Sequence, residues 1–468
     1  MGIITVSDKS FEMAAPVLII GAGACGCCAA LAVKEAGREV LVLERDAAPS
    51  GSTSLSGGQV LGAGTALQRA AGIEDTADLL ANDLIVKAKQ QNDAAMARHI
   101  AAQSARTVDW LVETHGVPLA SQQAFRYPGH SAQHMHATPQ KSGAELLVCL
   151  HNAVAAAGID VVLSAHVTDL FTEADGRVVG VRLSRPDGSV EEIGCDALIL
   201  ACNGYGGNPE MLQRYIPDIA QAHYHGHVGN QGDAVNWGLE LGAAISDMGS
   251  FQGYGAVITP VMIHLAWACI TEGGIQVNVS GERFSHENTG YSEQALHVIG
   301  QPEGVAWTIF DQRGQDIAMD LIYHREAMEI GAIRQVDTIA EIAEIVGCDS
   351  GTLAATMEDV AAMGRGEKTD AFGRDFTTKP PLQAPYYVAK ITGALFHTQG
   401  GLDVDLDGRV LRPDGTALVN LFAGGGAARG LSGPADWGYL SGSGLLMATT
   451  LGRLAGTAAA AMTAMTAD

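Results

Sequence analysis

Basic residues are scarce in this chain: 28 lysines and arginines stand against 52 aspartates and glutamates, a net charge of −24 over 468 residues. That balance argues against nucleic acid and against anionic membrane surfaces, both of which recruit basic patches. No CxxCH motif and no paired CxxC cluster occurs, so no haem or iron–sulfur ligand set is expected. The eight cysteines are scattered, which excludes a disulfide framework and fits a reducing, cytoplasmic setting. The N-terminal MGIITVSDKSFEMAAP lacks a basic-then-apolar signal pattern, and no apolar run is expected to reach the roughly 18 residues of a spanning helix. Charged residues amount to 17% and hydrophobic ones to 47%, the balance of a soluble globular enzyme long enough for two domains.

What is present begins at Val17 to Glu44, VLIIGAGACGCCAALAVKEAGREVLVLE. An apolar strand runs into GxGxxG, a helical pattern and a second strand ending in an acid. Gly21 permits the tight turn, Gly23 lets backbone approach a pyrophosphate, Gly26 allows close helix–strand contact, and the helix N-terminus faces phosphate charge. Glu44 is placed to accept hydrogen bonds from a ribose hydroxyl. Cys25 and Cys28 formally read CxxC, but small side chains are needed there for packing, so packing is the expected role.

Further along, the small-residue loop SGSTSLSGG follows, then helical patterns from about Asp75 to His115 and Ala144 to Gly158. Alternating residues from Val161 to Cys202, with turns at Asp175-Gly176 and Asp187-Gly188, predict a β-meander feeding a buried strand. From about Gly255 the texture changes, with a hairpin expected at QVNVSGERF and helices through Met363, the sign of an inserted second domain. The chain returns to short strands after Gly393 and closes on SGSGLLMATTLGRLAG, an apolar helix with a small-residue start. A helix N-terminus there suits the electron-rich end of a reduced flavin.

Gly21 to Glu44, the STSLSGG loop, LILACNG, HTQGG and LFAGGG…GYLSGSGLL…GRLAG together resemble the flavoprotein superfamily of fumarate reductases, succinate dehydrogenases and 3-ketosteroid dehydrogenases. The resemblance implies an α/β, Rossmann-like FAD-binding domain (1–254 and 382–468) with an inserted α+β capping domain (255–381). It also implies FAD, bound non-covalently, with a site drawn from Gly21, Gly23, Ala24, Gly26, Glu44, Arg45, Ser52, Thr53, Ser56, Gly57, Gly58 and Val167. Later segments add Ala201, Asn203, Gly204, Gly232, Asp233, Gly424, Gly425, Ser443 and Leu445. Within the superfamily, GGQVLGAGTALQRAAGIEDT and GYLSG are similar to the ketosteroid dehydrogenase branch, especially the Δ4 type. There Tyr439 and Ser441 match catalytic hydroxyls, and Tyr291 stands where fumarate reductases carry a proton-donating arginine. Two departures are visible: His397 resembles the substrate-binding histidine of the fumarate reductase type, and Gly425 replaces the usual acid of an AGE or AGD motif.

These residues suggest oxidation of a carbon–carbon bond beside a ketone. Tyr439 and the backbone N–H groups of Gly442 to Gly444 are expected to polarise the carbonyl, with Ser441 as orienter or relay. Tyr291 is the expected base, which requires its pKa to be brought below about 10. His397 is expected to bond a substrate oxygen, and Arg429 would serve a substrate carrying a carboxylate. Arg283 and Glu287, at i,i+4, read as an ion pair in the cap. His130, His134 and His136 (HxxxHxH), like His223, His225 and His227 (HxHxH), have spacings that suit a transition metal. No acid or cysteine accompanies them in sequence, so no metal is expected and a place on the active-site rim or in surface loops is.

The leading expectation is dehydrogenation of a cyclic ketone, steroid-like or smaller. The alternatives are a reductase of an unsaturated carboxylate such as fumarate or urocanate, and a catalytically silent flavin-binding protein. The electron acceptor is open between oxygen, a quinone and another protein.

Overall fold

The computed structural model describes residues 2–123 and 126–465. The apolar run Val17–Ile20 forms the end of the strand Met13–Ile20, flanked in parallel by Val40–Leu43 on one side and Val190–Leu200 on the other. Helices cover both faces of such a strand, so its side chains are uniformly apolar. Val17, Leu18 and Ile19 are fully buried. The expected meander is present: His166–Thr172, Val178–Ser184 and Val190–Leu200 pair antiparallel in sequence. Ala417–Ala423 then joins the C-terminal part of Val190–Leu200 in parallel, completing a nine-stranded sheet.

The helices Ala77–Lys87, Ala94–Glu113 and Gly143–Ala156 start where side-chain oxygens of Thr76, Asp93 and Ser142 accept the first free N–H groups, caps worth about 1 kcal/mol each. The last helix, Ser443–Met465, corrects one expectation, because Ser443–Ala464 is long and apolar enough to cross a membrane by length and composition. Most of it is buried inside the fold. Its glycines lie against the first helix, Ala24–Glu35: a Cβ at Gly452 would fall 2.5 Å from the Cys25 carbonyl oxygen, and one at Gly456 2.2 Å from that of Ala29. Cys25, Cys27 and Cys28 sit at this seam as free thiols. Burial pushes Cys25 and Cys27 up to about 12, so the CxxC spacing serves packing and offers no thiolate.

A second, seven-stranded sheet has Phe251–Ile258, Tyr386–Thr398 and Val305–Asp311 at its centre. Of its strands, Phe251–Ile258 runs across position 254/255, Tyr386–Thr398 lies beyond 381/382, and His223–Tyr224 joins from well before either. The hairpin expected at QVNVSGERF does not form. Ile275–Val277 pairs with Val305–Asp311 instead, and Asn278 to Glu282 close a tight turn through Asn278 N–H to the Glu282 carbonyl, 2.9 Å. Ile275–Val277 is an edge strand, and its Gln276 N–H donates to the Glu287 carboxylate at 3.3 Å.

Candidate active site

One cavity runs from the carboxyl ends of the first sheet's strands to the second sheet, a position where open α/β sheets bind ligands. At the first end lies the turn after Met13–Ile20. Gly21 has φ +107°, and a Cβ there would lie 2.4 Å from the Ala201 carbonyl oxygen. A Cβ at Gly26 would lie 1.9 Å from the Gly21 carbonyl oxygen. Both glycines are therefore required by backbone contact. The Glu44 carboxylate accepts from Ala22 N–H at 2.9 Å and Asp46 N–H at 3.0 Å, which fixes it at the cavity wall. The first helix lacks a side-chain N-cap, and only the Ala24 N–H is taken up locally, by Thr53 Oγ1 at 3.0 Å.

This glycine cradle, acid and open helix start fit a dinucleotide with its pyrophosphate at the helix and a ribose at Glu44. Of the anticipated cofactor positions, Gly21, Gly23, Ala24, Glu44, Arg45, Ser52, Thr53, Ser56 and Gly57 line the cavity. So do Val167, Ala201, Asn203, Asp233, Gly425 and Leu445. Gly26, Gly58, Gly204, Gly232, Gly424 and Ser443 do not, and their neighbours explain why. Gly58 abuts the Ser142 carbonyl, Gly204 the Thr398 side chain, Gly232 the Met211 sulfur and Gly424 the Cys25 sulfur. These are small for packing behind the wall, and Ser443 is buried at the start of the last helix.

At the far end Tyr291, Tyr439, Ser441, His397, Gly442 and Gly444 meet. Tyr291 begins the helix Tyr291–Ile299, and Tyr439 follows a short turn of 3-10 helix, Asp436–Gly438. Burial pushes Tyr439 up to about 12, against the pull of the Gly444 and Gly442 amides. The Gly442 and Gly444 amides thus lie close enough to the Tyr439 oxygen to act on its phenol. Burial likewise holds Tyr291 well above its ordinary value, with Tyr439 and Tyr127 adding to the rise and the Ser441 hydroxyl opposing it. The lowered phenol expected for Tyr291 is thus reversed, because no cation stands beside it to offset desolvation.

Arg429 is also corrected. Its neighbours Ala428 and Gly430 line the cavity, but its guanidinium points away, with Nε 2.7 Å from Asp247 and Nη1 3.5 Å from Asp403. Arg283 is the structural pair that was expected, bonded to Glu287 and Asp370 at 2.7 Å each.

The histidine motifs divide. His134 is fully buried between two carboxylates, Asp75 at 2.7 Å and Asp83 at 2.9 Å, while His136 bonds Thr65 Oγ1 at 2.9 Å. With His130 also buried, HxxxHxH belongs to the interior and not to a rim or surface loop. Among the described residues no group of three or more histidine, cysteine or acidic side chains is arranged so that it could hold a metal ion. In the second motif, His225 and His227 line the cavity.

Sequence reasoning missed an aromatic wall. Tyr254 stacks on Phe396 with centroids 4.9 Å apart and lies tilted against Tyr291 at 5.0 Å, and Phe396 stacks on His225 at 5.0 Å. Tyr127, His264 and Tyr323 complete it. Among the described lining residues Arg45 is the one arginine and no lysine occurs, and Arg45 sits beside Glu44 and Asp46 at the nucleotide end.

A family model described as FAD binding domain matches residues 16–445. The probable fumarate reductase Ifc3 of Shewanella frigidimarina is 29% identical over 95% of this chain and 74% of that protein. The 3-oxosteroid 1-dehydrogenase of Mycobacterium tuberculosis is 31% identical over 62% of this chain and 58% of that protein. Among solved structures, the open conformation of a flavocytochrome c3 fumarate reductase superposes with a TM-score of 0.81 at 29% identity, covering 97% of this chain and 79% of that one. The chain belongs to the family described as FAD binding domain and is an FAD-dependent oxidoreductase, similar to a probable fumarate reductase and to a 3-oxosteroid 1-dehydrogenase.

Proposed function

We propose that the chain removes two hydrogens from the α and β carbons of a cyclic ketone, 3-ketosteroid-like or a smaller oxo-cyclohexane. The observation that carries this reading is the wall of tyrosines and aromatic rings with its one arginine at the opposite end. A dicarboxylate calls for bidentate, permanently charged donors around the reacting carbon. A neutral ring calls for apolar faces and a few hydroxyls, which Tyr254, Phe396 and Tyr323 supply alongside Tyr439 and Tyr291.

FAD, when bound, supplies the hydride acceptor. Tyr439, kept protonated by its burial, donates to the substrate carbonyl, and that hydrogen bond strengthens as charge builds on the oxygen. The nearby amides of Gly442 and Gly444 oppose the rise in the Tyr439 pKa. Tyr291 takes the α-proton through the small fraction present as phenolate, because burial holds its pKa up and the Ser441 hydroxyl only opposes that rise. His397 bonds a substrate oxygen. The electron acceptor is an oxygen, quinone or electron-transfer protein, and the site needs neither nucleic acid nor membrane.

Turnover with an artificial dye and mass analysis of the product tests the reading. Loss of two hydrogens from a cyclic ketone supports it, and no product from any ketone removes it. One observation supports a second reading, reduction of fumarate or urocanate: His397 lines the cavity as a donor suited to a carboxylate oxygen, in a chain 29% identical to a probable fumarate reductase.

A further inference from the structure

We infer that Gln399 is a positioning residue which locks His397 in the tautomer protonated on Nε2, making it a hydrogen-bond donor into the cavity. The backbone around the pair is pinned. Gln399 N–H donates to the Ser250 carbonyl and Gly430 N–H to the Gln399 carbonyl, each at 2.8 Å. On the side chain, Oε1 accepts from Ser432 Oγ at 3.0 Å, and Nε2 lies 2.8 Å from His397 Nδ1. With its oxygen engaged by the serine, the amide presents an N–H to the ring, and Nδ1 can only accept. The competing acceptor is the Thr398 carbonyl oxygen, 3.3 Å from Nδ1. Serving it would place a proton on Nδ1, against the closer amide N–H.

Nε2 opens onto the reacting end of the cavity. A Cβ at Gly444 would come 3.3 Å from His397 Nε2 and 3.5 Å from the Tyr439 hydroxyl oxygen, so both groups border one space beside Gly444. The rings of His397 and Tyr439 stand edge-on at 5.5 Å. Burial lowers His397 to about 4; the imidazole is neutral in the physiological range, and the tautomer alone decides whether it donates or accepts. Two donors, Tyr439 O–H and His397 Nε2–H, then converge. The group bound there is an acceptor oxygen, and its identity as a ketone rests on the function proposed above.

The test is proton-coupled 15N NMR of the FAD-loaded protein labelled at histidine nitrogens, with the His397 signals assigned by their loss in His397→Asn. The expected pattern is a protonated Nε2 and an unprotonated Nδ1. Gln399→Glu, whose carboxylate can only accept, should move the proton onto Nδ1, and Gln399→Leu should give mixed tautomers. The same variants should slow flavin reduction about tenfold or more, the scale of one lost buried hydrogen bond, while retaining FAD. A wild-type His397 protonated on Nδ1, or a pattern unchanged in Gln399→Glu, would overturn the inference. Because the tautomer is read without substrate, failure of every ketone to react would remove the proposed function and leave this assignment standing.

Discussion

Tyr291 and Tyr439, one opening the Tyr291–Ile299 helix and the other preceding the last helix, face each other with ring centroids 6.1 Å apart. Both are more than nine-tenths buried, and they bracket the end of the cavity from opposite segments. If they are base and carbonyl donor, Tyr291→Phe and Tyr439→Phe should each slow substrate-dependent flavin reduction about a hundredfold or more, the usual scale for one acid–base group or one oxyanion donor. FAD content should be unchanged. Near-normal rapid-reaction rates in either variant would remove that residue from the mechanism.

The buried phenols also set the pH dependence. Tyr291 is held above its ordinary value, so the phenolate fraction grows throughout the neutral and alkaline range. Tyr439 keeps its proton up to about 12, and His397 is neutral above about 4. The rate constant for flavin reduction should therefore climb steadily from about pH 6 to pH 10, with no imidazole inflection. A bell centred near neutrality would contradict these assignments.

Cofactor retention should depend on Glu44. Its carboxylate holds the Ala22 N–H and Asp46 N–H in place and is the group set to meet a ribose. Glu44→Ala should weaken FAD binding about 10- to 100-fold, as expected for losing hydrogen bonds to a charged acceptor. Fluorescence titration of the apoprotein would measure it, and unchanged affinity would place the ribose elsewhere.

Away from the chemistry, His134 is a structural clamp. Burial disfavours its charge, but the hydrogen bonds it donates to Asp75 and Asp83 win and raise its pKa above the ordinary 6.5. That contribution is complete below the unfolded value and is lost as pH rises through the folded one. Asp83 behaves in the opposite sense: its pKa is lowered despite burial, so its share is lost as pH falls. His134→Leu leaves two buried carboxylates without their cation, with only the hydrogen bonds from Gln68 and Ser131 to hold them, and should cost about 3 kcal/mol, seen as a drop in the melting temperature. A small change would show that the carboxylates find other partners.

Arg429 separates structure from substrate binding. Its contacts to Asp247 and Asp403 predict that Arg429→Gln loses about 1 to 2 kcal/mol of stability, a partly exposed guanidinium being screened by solvent. KM for substrate should not move. A raised KM specific to carboxylated substrates would return Arg429 to the site.

The contrast between Glu44 and Phe396 shows what was legible in the chain. Glu44 and the glycines before it form one continuous βαβ segment, so strand, turn and helix could be read locally. The same holds for Tyr439 and Ser441, which share a short motif. Phe396 and His397 both line the cavity although adjacent strand residues ordinarily face opposite ways. The reason is a bulge: Gln252 pairs with His397 and Gly253 with Leu395, leaving Phe396 unmatched and re-aimed. Such a register shift leaves no periodicity to read. Tyr127, His264 and Tyr323 come from three separate segments, and Asp75 and Asp83 reach His134 across long stretches of chain. For Arg429 the neighbouring backbone gave the right place and the side chain turned the other way.

The most direct test of the proposed dehydrogenation is anaerobic loss of the oxidised-flavin absorbance in the purified protein, followed against 3-ketosteroids, cyclohexanones and oxo-cyclohexane carboxylates. Rapid bleaching by a cyclic ketone is the result predicted from the tyrosine-lined, arginine-poor cavity end. No bleaching by any ketone, with dye-reduced protein promptly reoxidised by fumarate or urocanate, would contradict it and assign the site to reduction of an unsaturated carboxylate.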